Sequence, residues 1–479
     1  MEHGGQMANW RTGWSLWSKD IIFLITSDSK AGPQAWVEAY HDGHSPPEVA
    51  SLPLKSGALE GAIVVDNPLD HRFENIHISY DGINGQLPNL DLFNTAVSIA
   101  NGQHGIGASL QRMWTHNDSY KERLQTIFRG MTNQGLGHAS GPHSSFIPYH
   151  VDAITIRAVG NGWQDDMALG RVVESLFRSL NNLMEHFHQS FFLYLLMQTN
   201  RFVSIGTYLP SAMLVAASFT IMAMALWVAS GRPPKSNIAT PFIDKKSKRV
   251  EVEVIEKDGM TSVVPRSEIT VVERHLLLPA ALILSFHFLG AVPLYIFNHT
   301  AQPVSLDPGT FRDYTNKPQS LISALYAFTV ANFVIPTAFK TILTRYASLT
   351  RQHYLLIKCF SLLLLGMFLA TLATVNFSLS FFIGLLSAHL SVVGPLPGPS
   401  QQSRTFGRAG QIGSNIIIHV LSPPVVFMAA CYLTGVDAQD VLMEAAFGWK
   451  VWGLWTQVIV WCVWWPAWLA AAVVESPGI

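Results

Sequence analysis

The chain has 479 residues, 49% of them hydrophobic and 13% charged, with a mean hydropathy of +0.25 and a formal net charge of −1. That balance is too apolar for a wholly soluble protein of this length and fits a chain that is half soluble and half membrane. It lacks the basic excess of a nucleic-acid binder, and because Cys359, Cys431 and Cys462 all fall in apolar runs, the polar half has neither a disulfide framework nor a thiol nucleophile.

Residues 1–165 read as alternating strands and helices. Met1 to Trp10 holds no signal peptide and no spanning segment, so the chain reads as starting inside a domain. Ile21 to Thr26 (IIFLIT) and Gly61 to Val65 (GAIVV) are continuous apolar runs of the kind buried in a parallel sheet. Ile76, Ile78 and Tyr80 alternate with His77 and Ser79, and Ala153 to Arg157 forms a last strand. Helices are expected at Pro33 to Tyr40, with proline early in the helix, at Asn89 to Ala100 and at Tyr120 to Thr132. This order predicts an α/β layered domain.

A junction follows. Leu169, Val172, Leu176, Leu180, Leu183, Phe187 and Phe191 recur at helical spacing, with Arg171, Glu174, Arg178 and Glu185 on other faces. They predict an amphipathic helix over 166–200 that lies along a membrane surface.

From 201 to 479 the sequence predicts an all-α membrane domain. Its apolar runs number about seven: Phe202 to Trp227, Leu276 to Phe297, Leu321 to Phe339, Tyr354 to Val375, Phe377 to Leu396, Ile416 to Leu433 and Val451 to Val474. Loop 229–274 carries Arg232, Lys235, Lys245, Lys246, Lys248, Arg249, Lys257, Arg266 and Arg274, and the third and fifth loops are also basic. The positive-inside rule places these odd loops in the cytosol and the α/β domain on the other side. The sequons at Asn117, Asn298 and Asn376 all fall on that other side. Within the first loop, Lys245 to Ile269 alternates charge with valine, which suits a small solvated hairpin.

Candidate chemistry is sparse. His138, His143 and His150 share one loop without the carboxylates or thiolates of a metal site, and Asp66 and Asp70 flank Pro68 in an ordinary turn. In the membrane half, Lys358 reads as a helix-end residue that snorkels, and His287 and His389 are the interior polar groups. The last run packs Trp452, Trp455, Trp461, Trp464, Trp465 and Trp468 around Pro466, where a proline kink can open a groove for a lipid or glycolipid.

The segments ISYDGINGQLPNLDLFN (Ile78 to Asn94), IRAVGNGWQDDMALGRVVESLFRSLNNLMEHFHQSFFLYLL (Ile156 to Leu196) and RFVSIGTYLP (Arg201 to Pro210) resemble the Gaa-type subunit of glycosylphosphatidylinositol (GPI) transamidase. The resemblance implies a multi-pass endoplasmic reticulum membrane protein with a lumenal domain of the zinc-aminopeptidase type, here shortened at its N-terminus. Active zinc aminopeptidases carry a Glu-Glu pair ahead of a glycine; in this chain Ser29 and Lys30 precede Ala31 and Gly32, and the upstream His-x-Asp motif has no counterpart. Only Asp66 and His143 fall near ligand positions, so the resemblance implies a retained fold without metal, cofactor or peptidase chemistry. Transamidation needs a nucleophile, and the family's thiol belongs to a caspase-like cysteine protease subunit. The same resemblance points to Trp464, Trp465, Pro466 and Trp468 as GPI-binding residues and to other multispan subunits as partners, while the sequons and the orientation set by charge lead to expected glycans on Asn117 and Asn298. An active zinc metallopeptidase or metal-dependent amide-forming enzyme, and a seven-span transporter or receptor, are the competing readings.

Overall fold

The computed structural model describes residues 17–43, 51–113, 118–183, 191–232, 252–257, 260–265, 272–300, 319–347, 349–392 and 405–475. The chain folds as a small α/β region followed by a mostly helical one.

Helix α1 (Ala31–Tyr40) starts where the Asp28 carboxylate accepts hydrogen bonds from the backbone N–H groups of Lys30 and Ala31, each at 2.7 Å. Strands β1 (Gly61–Asp66), β2 (Phe73–Ser79), β3 (Gly107–Ser109) and β4 (Asp152–Gln164) form one sheet in the order β1-β4-β2-β3. β1 runs parallel to β4 and β3 parallel to β2, whereas β2 is antiparallel to β4, so the sheet is mixed. The alternation foreseen for β2 is real: Phe73, Ile76 and Ile78 are buried against Leu92 and Phe93 of α2 (Leu90–Val97). Helix α3 (Tyr120–Leu136) is capped by the Ser119 hydroxyl and ends at Gly137, whose left-handed φ of 65° suits glycine.

Two expectations change here. Ile21 to Thr26 lies outside the sheet with Ile21, Ile22, Phe23 and Ile25 exposed, since an apolar run does not by itself specify a strand partner. Helix α4 (Asp166–Asn181) is amphipathic, but Leu169, Val172 and Leu176 are buried in the sheet's own core, so its apolar stripe packs the domain and not a membrane surface. Nor does the helix persist to 200, because β5 (Tyr194–Gln198) and β6 (Arg201–Ser204) pair as a hairpin that leads into the first membrane helix.

Among the described residues, five stretches are long and apolar enough to cross a bilayer: α5 (Ile205–Ser230); α6 (Leu277–Leu289) with α7 (Ala291–Thr300), taken as one stretch; α8 (Gln319–Tyr346); α9 (Arg351–Val375); and α14 (Thr456–Glu475). The sixth apolar run is broken into α11 (Thr405–Val420) and α12 (Pro423–Thr434), bent by 66°. The fifth forms α10 (Phe377–Val392), whose 16 residues reach about 24 Å, short of a hydrocarbon core of about 30 Å. The described residues therefore support five or six spans where the sequence suggested about seven. Helix α13 (Ala438–Val451) precedes α14, and β7 (Val252–Lys257) pairs with β8 (Met260–Pro265) as the hairpin expected in the first basic loop.

The two ends of the bundle differ. At one end the Arg274 Nε donates to the Ser230 hydroxyl at 3.1 Å, and the Gln352 amide donates to the carbonyls of Ser230 and Glu273, each at 3.0 Å. The α/β domain sits at the other end, against Asn376 and Trp455. Ser230, Arg274 and Gln352, which bracket the first basic loop, thus lie at the end of the bundle opposite the α/β domain.

Candidate functional site: the last membrane helix

Helix α14 is the most enclosed of the five apolar stretches. Pro466 interrupts it, having no N–H to offer the Cys462 carbonyl one turn earlier, and its ring crowds that carbonyl. The helix widens into a π-turn over Val460–Trp464 just before the proline. The Cys462 carbonyl accepts a hydrogen bond from His287 Nδ1 on α6 at 2.7 Å; a carbonyl only accepts, so the proton resides on that nitrogen. Where α6 gives way to α7, a Cβ on Gly290 would collide with the Trp461 carbonyl, which explains the glycine at this crossing.

The indoles hold other helix defects. Trp465 Nε1 donates to the Asn332 side chain at 2.7 Å, one turn before Pro336 inside α8. At the α11–α12 bend the Ser422 N–H turns to the His419 carbonyl, and Trp468 Nε1 donates to the Ile418 carbonyl left behind, at 2.7 Å. Trp461 stacks on Phe297 at 5.2 Å. Trp464, Trp465, Pro466 and Trp468 are all buried by this chain's own helices, so the expected groove does not expose them. Trp465 and Trp468 thus have hydrogen-bond partners, whereas the buried Trp464 Nε1 has none among the described residues.

Lys358 does not snorkel. It is 2% exposed, with its ammonium 3.4 Å from the carboxylate of Glu475, itself 4% exposed at the end of α14. The Ser414 hydroxyl donates to the other Glu475 oxygen at 2.8 Å, and Lys340 donates to the Val474 carbonyl at 3.3 Å. The membrane region therefore has a charged interior that the sequence reading did not find. Each of its members looks like a helix-end residue until its partner, 117 positions away for Lys358, is known.

The α/β domain separates its candidate ligands. His143 is fully buried with Nδ1 2.8 Å from the Thr155 hydroxyl, and burial lowers its pKa to about 4. Asp66 is half-exposed on β1, 3.4 Å from Arg157; Asp70 and His150 are exposed; His138 is 3.5 Å from Glu444. Among the described residues no three such side chains converge as metal ligands. Lys30 forms an ion pair with Glu444 of α13 at 2.8 Å. The sequence reading passed over Asp81, which follows β2 fully buried, accepts hydrogen bonds from the amides of Gln111 and Asn133, and is raised by burial to about 6.

Of the sequons, Asn117 lies outside the described residues. Asn298 is half-buried in α7, where its amide donates to the Leu294 carbonyl at 2.8 Å and to Gln457 at 3.0 Å. Asn376 is 2% exposed, and its amide is engaged twice by the α/β domain.

The fold and its apolar helices define a multi-pass membrane protein that carries an α/β region. The family model described as Gaa1-like, GPI transamidase component, matches residues 5–472, so the chain belongs to that family. It is similar to the GPI transamidase component GAA1 of Saccharomyces cerevisiae, 38% identical over 231 residues, which are 47% of this chain and 36% of that protein. It is likewise similar to the GPI transamidase component gaa1 of Schizosaccharomyces pombe, 38% identical over 238 residues, 48% of this chain and 40% of that one. The matched stretch spans well under half the length of each relative.

Proposed function

We propose that this chain is a non-catalytic subunit of the endoplasmic reticulum GPI transamidase, one that holds the GPI lipid within its membrane helices and helps attach it to protein C-termini. Membership of the Gaa1-like family over residues 5–472 carries this reading. In it the α/β domain is lumenal, a partial zinc-aminopeptidase-like fold that docks partners, and α10 counts as a seventh, short crossing. The thiol belongs to a caspase-like cysteine protease subunit, whose thioester with the substrate protein is attacked by the ethanolamine amine of the GPI. A C–N bond forms, the C–S bond breaks and the thiolate leaves. This chain supplies position and not a nucleophile. Trp464, Trp465, Pro466 and Trp468 act by shaping the helices around α14, where the GPI acyl chains lie against the bundle.

The test is purification of the tagged chain from its own membranes in mild detergent, with mass spectrometry of what accompanies it. Recovery of a caspase-like protease, other multispan subunits and GPI lipid supports the reading. A chain that emerges alone and lipid-free overturns it.

A further inference from the structure

We infer that Lys358, Glu475 and Ser414 form a latch that fixes the depth and rotation of α14, and so position the helix on which lipid binding depends. This rests on the proposed lipid role of α14 for its functional readout, but not for its geometric one.

The need for a latch follows from helix geometry. A slip of one residue along α14 moves every side chain by about 1.5 Å and turns it by about 100°. Such a slip would withdraw Trp465 from Asn332, Trp468 from the Ile418 carbonyl and the Cys462 carbonyl from His287. Apolar packing within a bilayer is a poor guard against it, because lipid tails are as apolar as the helices. A buried charge is a strong one. Glu475 lies seven residues after Trp468 and eleven after Trp464, a spacing that keeps all three on one face of a helix. Its carboxylate is saturated from two different helices, by Lys358 of α9 on one oxygen and Ser414 of α11 on the other. Moving α14 by a single residue would leave Lys358 and Glu475 buried and apart, the costly arrangement for an ion pair.

The experiment uses the full chain in its native complex, in a background without its three cysteines. New cysteines replace Ser361 and Ala467, whose Oγ and carbonyl lie 3.5 Å apart across α9 and α14. Oxidative cross-linking then reports the register of α14, and co-purified GPI lipid reports function. Lys358→Glu and Glu475→Lys, singly, are expected to lower both by about tenfold, the double exchange to restore both to within about twofold, and Lys358→Met with Glu475→Leu to keep the complex folded but weaken both readouts. Wild-type cross-linking in either single variant, or no recovery of cross-linking in the double exchange, would overturn the latch. If cross-linking follows the charges while even the parent chain yields no lipid, the latch stands and the lipid-binding proposal falls.

Discussion

The side-chain amide of Asn376, in the turn between α9 and α10, donates to the backbone carbonyl of Asn84 at 3.0 Å. It also donates to the Gln134 carbonyl at 2.8 Å, and Asn84 in turn accepts from the Trp455 N–H and donates to the Gly453 carbonyl. Asn84 can do this because it adopts a left-handed φ of 60° that turns both its peptide and its amide toward the membrane helices. Two asparagines therefore join the α/β domain to the α9–α10 turn and to the entrance of α14.

The Asn376-Phe-Ser sequon is consequently expected to remain unmodified. Asn376→Gln should leave the glycan pattern unchanged on a deglycosylation gel, whereas Asn117→Gln should remove one step. Asn376→Ala leaves the Asn84 carbonyl and the Leu379 N–H without this partner and should cost about 1–3 kcal/mol, read as a lower unfolding temperature and faster proteolysis between the domains. A glycan found on Asn376 would contradict this packing.

Asp81 sets an opposite trend in pH. Burial raises its carboxyl to about 6, so between its unfolded value near 4 and that point the folded chain retains a proton that the unfolded chain releases. Its favourable contribution is full below about pH 4 and disappears as pH rises to about 6, a change of roughly 3 kcal/mol. Asp81→Asn should match the parent at the acid end and exceed it in stability from pH 6 upward. His143, lowered to about 4, acts the other way, costing stability as pH falls from about 6.5, and His143→Gln should flatten that acid limb. Melting temperatures across this range decide both; a parent-minus-variant difference that does not change with pH would refute them.

What was legible in the sequence was whatever a single element shows by itself. The apolar period of β2 and the long runs that became α5, α8 and α9 are local signals. The strand β5 was misread as helix because Leu195 and Leu196 sit in a continuous apolar run that suits either state. The site was less legible. Trp465, Trp468 and Lys358 owe their roles to Asn332, Ile418 and Glu475, at sequence separations of 133, 50 and 117. No periodicity reports such pairings.

Metal analysis separates the family reading from the peptidase alternative. His143 already spends one ring nitrogen on Thr155 inside the core, and Asp66 is turned to Arg157 at the sheet edge. Purified protein is expected to hold zinc well below one equivalent, unchanged in His143→Ala. Stoichiometric zinc that this substitution abolishes would restore the metallopeptidase reading.

Pro466 and His287 are expected to behave as a unit. Pro466→Leu returns an N–H to the Cys462 carbonyl, which removes the reason for the π-turn and competes with His287 for that oxygen. Closing the turn would rotate Trp464 and Trp461 by up to about 100° against the residues that follow. Subunit assembly should survive, because the helix becomes more regular, but GPI lipid recovered with the complex should fall severalfold. His287→Ala, in contrast, leaves a buried carbonyl unpaired at about 1–3 kcal/mol and should lower both stability and lipid recovery, with His287→Gln partly restoring the donor. In the double variant Pro466→Leu, His287→Ala the stability loss should shrink, since the leucine N–H now satisfies the oxygen. A double-mutant cycle that is additive in stability would show that the two residues do not share the Cys462 carbonyl.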